Sequence, residues 1–381
     1  MIRNNPMLTR VLYLTINPNR ASTTIPTEGW VRELAPRGLQ PVLATSEYGG
    51  FSAWVENRGY PCYTMDLSAP AWNMKWQSYR SFLHLCWIVK RYGIQIVHCN
   101  EQNVYPMGSY IAKMMRIPIV VSVHFTMDRG FCEWAFKKHP PDRIIFVSEA
   151  NRRNCAESLD GIIGDAKFVV VNNGIDTSRN KPDLALRSAF REAHKLGDSL
   201  ALGVACALRP RKQVDHFIRA LNEIQGDFRV LVAGAAVPGD EKYADWLMDF
   251  AKESLGNRVT FLGHLNDLRP MLNGIDLFVN TSQEEACSIS VIEALAHGCP
   301  VIGYPSKSVD CQILPGGGEI TPQDDIHELA SCIQRWSTNH NLRRETSARA
   351  REIATSKFDM IGNCEQVWEI YQAILHRRDS A

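Results

Sequence analysis

The chain has no Cys-x-x-Cys pair, although it holds eleven cysteines in 381 residues. Scattered thiols of odd number exclude a closed disulfide framework and the ligand spacing of structural zinc. They read as reduced core residues of a cytosolic protein. No apolar run is long enough to cross a bilayer, and residues 1–6 lack the apolar stretch of a secretion signal. Charge of one sign is missing too: the formal net charge is +1, so no global field draws nucleic acid. There is no Asp-x-Asp and no His-x-x-x-His, and no metal is expected. No strand-like run leads into Gly-x-Gly-x-x-Gly with a later acidic residue, which argues against a dinucleotide-dependent oxidoreductase. Short repeats and low-complexity tracts are absent as well.

What is present is the composition of a packed soluble globule, 45% apolar and 22% charged. The length favours two domains. Strand-like runs at 11–16, 41–45, 94–98, 117–124, 143–148 and 167–171 alternate with helix-like segments at 29–37, 81–91 and 106–115. A polar stretch, 177–197, reads as a linker with a lead-in helix, and the alternation then restarts. Strands are expected at 200–207, 229–234, 259–262, 276–280 and 300–303, and helices at 214–224 and 241–255. The run 316–318 reads as a glycine loop. Such alternation implies parallel strands with crossover helices. Two successive units of similar size imply an α/β protein of two Rossmann-like domains facing across a cleft, 1–178 and 179–357. The final segment, 358–375, is amphipathic, with Ile361, Cys364, Val367, Trp368, Tyr371 and Ile374 on one side. It either caps the second domain or, as 358–381, packs back on the first.

The run 282–301 carries the most chemistry. It sets Glu285 in a polar turn after a strand, and Glu293 inside an apolar helix that stops at Gly298 and Pro300. A carboxylate at a loop–helix junction accepts hydrogen bonds from a polyol, and a helix N-terminus holds a phosphate. Sugar and phosphate side by side are what a nucleotide-sugar presents.

Glu285-x7-Glu293, running on into Ala294-Leu-Ala-His-Gly-Cys-Pro-Val301, resembles the signature of the family 4 glycosyltransferases, a retaining class with the GT-B fold. The runs 117–124, 143–149, 171–176, 232–234 and 259–263 are similar to further family motifs in the same order. The resemblance spans nearly the whole chain. It implies metal-independent transfer of a sugar from a nucleoside-diphosphate sugar, the co-substrate, to a hydroxyl of a saccharide, a lipid-linked saccharide or a small molecule. No other cofactor is implied. By the same resemblance Lys212 binds the donor diphosphate, Glu285 holds the transferred sugar, Glu293 takes the ribose hydroxyls, and His124 contacts the sugar. Taken alone, the basic loop around Lys212 reads more readily as a solvated loop, and a strand-end histidine is more often structural. Ser288 and Ile289 are candidate N–H donors to phosphate, and Gly263-His264 resembles the turn that meets the base. The acceptor side is expected near His98, Ser22 and Thr23.

The sequence departs from the family pattern in four places. Ala207 stands where the family has an arginine, leaving Arg209 or Arg211 to replace it. Ala286-Cys-Ser288 replaces Gly-Phe-Gly, the loop 17–28 has no glycine, and Asn100 stands where a second histidine is frequent. These departures keep two alternatives open: a non-catalytic relative that binds sugars or partners, and a nucleotide-sugar epimerase of the same fold.

Residues 72–91 mix three tryptophans with basic side chains, as interfacial helices do. A core helix with a solvated face is the plainer reading. With the resemblance, the expected setting is bacterial envelope or exopolysaccharide synthesis at the cytoplasmic side of the membrane, with peripheral membrane contact and no nucleic acid partner.

Overall fold

The structure, a computed structural model, describes residues 8–68 and 76–379. The chain forms two compact units. Unit 1 runs to Gly174 and takes back the segment from Met360; unit 2 is Ile175–Asp359. These divisions stand a few residues from the expected 178 and 357. Ile175 donates to the Phe358 carbonyl at 2.9 Å and pairs with Asp359, so the chain leaves and re-enters unit 2 at adjacent positions.

Unit 1 holds strands β1 (Thr9–Thr15), β2 (Leu39–Thr45), β3 (Cys62–Thr64), β4 (Ile96–Cys99), β5 (Ile119–Val123), β6 (Arg143–Phe146) and β7 (Phe168–Val170). All pair in parallel, in the order β3-β2-β1-β4-β5-β6-β7. Its helices are α1 (Ile25–Leu34), α2 (Gly50–Glu56), α3 (Trp76–Tyr92), α4 (Tyr105–Met115), α5 (Arg129–Phe136) and α6 (Glu149–Leu159). Alternate β1 side chains serve two cores, as the period of a strand requires. Leu12 and Leu14 join Leu85, Ile88 and Ile111 from α3 and α4. Val11 and Tyr13 join Trp30 of α1 and, from the other end of the chain, Val367 and Tyr371. A sheet covered on both faces explains why its strands read as continuous apolar runs.

Unit 2 begins with α7 (Leu184–Ala193), the expected lead-in helix. Its strands are β8 (Leu200–Ala205), β9 (Phe228–Ala233), β10 (Val259–Gly263), β11 (Leu277–Asn280), β12 (Val301–Gly303) and β13 (Gly318–Ile320), parallel in the order β10-β9-β8-β11-β12-β13. Between and after them run α8 (Val214–Leu221), α9 (Glu241–Leu255), α10 (Arg269–Gly274), α11 (Ile289–Ala296), α12 (Val309–Ile313), α13 (Ile326–Thr338) and α14 (His340–Lys357). Two glycines let neighbouring loops meet at the carboxyl edge of this sheet. Gly234 (φ 144°) and Gly303 (φ 153°) would each bring a Cβ to 1.8 Å from a carbonyl oxygen, of Cys206 and Asn280 respectively.

The last helix, α15 (Met360–Asp379), belongs to unit 1. Met360, Cys364, Val367, Tyr371 and Ile374 are its buried stripe, whereas Ile361, expected on that side, is exposed. Three further expectations are corrected. α1 starts at Ile25, because Pro26 in its first turn needs no N–H partner. α3 begins at Trp76, and Trp72 with its neighbours lies outside the described residues. The glycine run 316–318 leads directly into β13, where only the last glycine enters the ladder, opposite Val301. Among the described residues no helix is long and apolar enough to cross a membrane.

Candidate active site

The site-forming side chains of unit 2 come from three loops that follow strands. After β8 the chain turns through a short helical turn, Pro210–Lys212, and reverses at Gln213 in the left-handed region (φ 47°). After β11 comes the turn 281–288. The two are tied together: the Thr281 hydroxyl donates to the Lys212 carbonyl at 3.1 Å, and the Gln283 N–H to the Arg211 carbonyl at 2.9 Å. This crossing brings the Lys212 ammonium onto Glu285 Oε1, with side chains only 11% and 12% exposed. The Ser282 hydroxyl donates to the same carboxylate oxygen at 2.8 Å.

The third loop follows β12. Its Ser306 carbonyl accepts from the Glu285 N–H at 2.8 Å, and its hydroxyl donates to the Ser282 carbonyl while accepting from Asn280 Nδ2. Ser306 and Lys307 both lie in the left-handed region (φ 48° and 61°), strain that the buried Ser306 bonds hold in place. Lys307 reaches Glu284 Oε2 at 3.1 Å. Arg211 donates to the Glu284 carbonyl at 3.3 Å, which makes it the arginine at this loop. Arg209, the other candidate, is turned to Asp240 at 3.2 Å.

α11 follows directly. Apolar on nearly every side, it is buried except at half-buried Ser290, and Glu293 is buried with it at 6% exposure. The expectation for Ser288 is corrected. Its N–H already donates to Gln312 Oε1 at 3.0 Å, so Ile289, and not Ser288, begins the run of first-turn donors. Gly263 (φ 67°) ends β10, its carbonyl accepting from the Gly234 N–H at 2.8 Å, and His264 beyond it is exposed.

In unit 1, His124 lies just past β5 and is buried; burial holds its imidazole down at about 4, so the ring is neutral. Gln102 fixes this corner, accepting from the His124 N–H at 3.2 Å and donating to the Phe125 carbonyl at 3.2 Å. His98 is different. It is fully buried and stacked on Trp30, with Nδ1 on the Tyr371 hydroxyl (2.5 Å) and Nε2 on the Ser122 hydroxyl (2.9 Å). Both ring nitrogens are taken, so the acceptor-side expectation for His98 is corrected: it joins α15 to the sheet. Ser22 is exposed, whereas Thr23 is buried with a hydroxyl that has no partner among the described residues. The loop that carries them is held by Glu101, which accepts from the Thr15 hydroxyl at 2.9 Å and from the Ile16 N–H. Burial raises the Glu101 carboxyl to about 7. Among the described residues no group of three or more His, Cys, Asp or Glu is arranged to hold a metal ion.

Sequence reasoning missed Gln312, Ser306, Gln102 and Glu101. Each acts on backbone far along the chain, a relation that leaves no local pattern. Glu101 alone had a signal, an acidic residue two positions past an apolar strand.

Two parallel-sheet units, with an ion-paired lysine and a buried helix carboxylate at the carboxyl edge of the second, define a glycosyltransferase of the GT-B type. The model for Glycosyltransferase Family 4 matches residues 27–179, and that for Glycosyl transferases group 1 matches residues 187–353. The chain belongs to the family 4 glycosyltransferases. It is 23% identical over 256 residues to a lipopolysaccharide core biosynthesis mannosyltransferase, LpsB, of Rhizobium meliloti, covering 61% of this chain and 73% of that one. It is 22% identical over 313 residues to an Escherichia coli UDP-Gal:alpha-D-GlcNAc-diphosphoundecaprenol alpha-1,3-galactosyltransferase, covering 77% and 79%. In fold it resembles Anabaena HepE, solved in complex with UDP and glucose, with a TM-score of 0.86, 19% identity, and 96% and 100% of the two chains covered.

Proposed function

We propose that this glycosyltransferase moves a sugar from a nucleoside-diphosphate sugar to a hydroxyl of a saccharide or lipid-linked saccharide, with retention at the anomeric carbon and without a metal ion. The observation that carries the reading is the Lys212–Glu285 pair set against the N-terminus of α11, with Glu293 buried on that helix. A departing diphosphate needs fixed positive charge and N–H donors where its own charge develops. Lys212, Arg211 and the first-turn N–H groups from Ile289 onward are of that kind, and the helix dipole adds to them. Glu293 would accept from the ribose hydroxyls and Glu285 from hydroxyls of the transferred sugar, two vicinal donors per carboxylate. Gly263 and His264 would border the base.

In the transfer, the acceptor oxygen bonds to the anomeric carbon as the bond to the diphosphate oxygen breaks. The acceptor proton passes to the leaving phosphate. No enzymic nucleophile is required. From unit 1, neutral His124 is the side chain proposed to touch the transferred sugar, with Ser22 and Thr23 on the acceptor side. The mannosyl- and galactosyltransferases named above support an envelope-polysaccharide role.

The reading includes peripheral contact with the anionic inner face of the membrane. What supports it is α3, where exposed Trp76, Tyr79, Leu83 and Trp87 recur at helical spacing, and adjoining α4, which exposes Tyr110 and Met114. Between Asp66 and Asp128 the sequence has six Lys or Arg residues and one acidic residue, Glu101, which is buried. An apolar stripe on two helices that carry Arg80, Lys90, Arg91 and Lys113 and no acidic residue of their own matches an anionic lipid surface.

The test is product analysis: incubation with UDP-glucose, UDP-galactose and GDP-mannose, with alkyl glycoside and undecaprenyl-diphosphate-sugar acceptors, in EDTA. One donor should give a new glycoside whose anomeric NMR coupling matches that of the donor. Inverted product, or transfer only when Mg²⁺ is restored, would overturn the respective part.

A further inference from the structure

We infer that Gln312 is a positioning residue of the diphosphate site: its carboxamide sets the corner at Cys287-Ser288 so that the first-turn N–H groups of α11 converge on the donor diphosphate. The inference rests on the nucleotide-sugar reading above.

Ser288 occupies the N-cap position of α11, yet its side chain makes no capping bond; its hydroxyl lies 3.3 Å from that of Ser290. The cap is supplied from elsewhere. Gln312, 24 residues on and in α12, is 2% exposed. Its Oε1 accepts from the Ser288 N–H at 3.0 Å, and its Nε2 donates to the Ser288 carbonyl at 3.0 Å while lying 3.6 Å from Cys287 Sγ. One amide group thus reads both backbone atoms of one residue. The Ser288 carbonyl also takes the first bond of the helix ladder, from the Ile292 N–H at 3.2 Å. Gln312 therefore fixes where the helix starts and which way its first turn points.

A buried glutamine is uncommon, and it persists where every polar atom is satisfied. Here the need is local. Ala286-Cys-Ser288 contains no glycine, so the backbone cannot fold freely around a phosphate. A corner built of residues with side chains must be held in one conformation by something outside it. The N–H groups of Ile289, Ser290 and Val291 have no carbonyl one turn back in the helix, and a helix start offers such groups to an anion. Ser290 is the most open of the three residues. Their value to a phosphate depends on direction, and a displacement of about 1 Å suffices to lose most of it.

The test is calorimetric, by direct titration and competition. UDP and GDP, and the matching nucleosides uridine and guanosine, are titrated into wild type, Gln312→Ala, Gln312→Met and Gln312→Glu. Met fills the same space without hydrogen bonds, so it serves if Ala lowers stability. Glu keeps acceptance from the Ser288 N–H, loses the donation to the carbonyl, and adds negative charge beneath the phosphate. The nucleoside diphosphate that wild type retains should bind about tenfold more weakly to Ala or Met, and about a hundredfold more weakly to Glu. The nucleoside itself should bind all four proteins within about twofold, because the ribose carboxylate is untouched. Equal losses for nucleoside and diphosphate would reduce Gln312 to a general structural role and overturn the inference, as would unchanged diphosphate affinity. Should folded wild type bind no nucleoside diphosphate at all, the donor reading itself fails and this inference with it.

Discussion

Lys212 Nζ and Glu285 Oε1, 73 residues apart in sequence, form a nearly buried ion pair at the carboxyl edge of the unit 2 sheet. The pair holds the loops after β8 and β11 together and sets the charge of the proposed donor site. Removing one partner strands the other. Lys212→Ala, which leaves Glu285 only the Ser282 hydroxyl, is predicted to lower stability by about 1–3 kcal/mol in urea unfolding. Lys212→Ala with Glu285→Ala should be less destabilised than the sum of the single variants, giving a coupling of about 1–2 kcal/mol.

Glu293 is buried on α11, at 6% exposure. Its proposed partners are ribose hydroxyls. Glu293→Gln should fold normally by circular dichroism, keep within about 1 kcal/mol of wild-type stability, and raise KM for the nucleotide-sugar about tenfold or more. An unchanged KM would remove Glu293 from the donor site.

The acid limb of stability has a defined sign. Burial holds His124 at about 4 and His98 at about 3, against 6.5 for an unperturbed imidazole. The unfolded chain therefore binds more protons below pH 6.5, and stability falls from there toward pH 4 and below, by up to about 3 kcal/mol for His124 and about 5 kcal/mol for His98. Glu101 acts in the opposite sense. Its carboxyl, raised by burial to about 7 from 4.5, contributes fully below about pH 4.5, and that contribution is lost as pH rises through 7. Proton NMR should find the His98 and His124 rings still neutral at pH 5. Glu101→Gln should flatten the loss of stability between about pH 5 and 8. A ring titrating at 6.5, or an unchanged alkaline limb in the variant, would contradict this.

The fold was largely legible because strands covered on both faces read as apolar runs whatever their neighbours, and the helices between them keep their period. Glu285 and Glu293 were legible because polar turns and an apolar helix frame them locally. Lys212 needed the family resemblance, since a basic loop alone looks solvated. What the chain did not announce is long-range: the lysine–glutamate pair, the Gln312 cap on Ser288, and the Tyr371 hydroxyl that turns His98 into a core residue. Strand β13 was read as loop because its sequence opens on glycines, whose role is a close approach to Val301, with a Cβ at Gly318 falling 1.7 Å from that carbonyl oxygen.

The exposed stripe on α3 gives a separate prediction. Leu83→Glu with Trp87→Glu should leave the circular dichroism and nucleotide affinity unchanged. It should weaken sedimentation with phosphatidylglycerol vesicles about tenfold or more. Wild-type binding should fall as salt rises, since the attraction is partly to anionic headgroups. Equal sedimentation of the two proteins would assign this face to another role.

The most direct measurement is a thermal-shift series in EDTA with UDP, GDP and ADP on wild type, Lys212→Ala and Glu293→Ala. A ligand that binds only the folded state raises its melting temperature. The account predicts that one nucleoside diphosphate raises the wild-type midpoint by about 2–4 °C, without metal, and that both variants lose the shift. No shift with any nucleotide in folded wild type, or the same shift in all three proteins, would contradict a donor site built on Lys212 and Glu293.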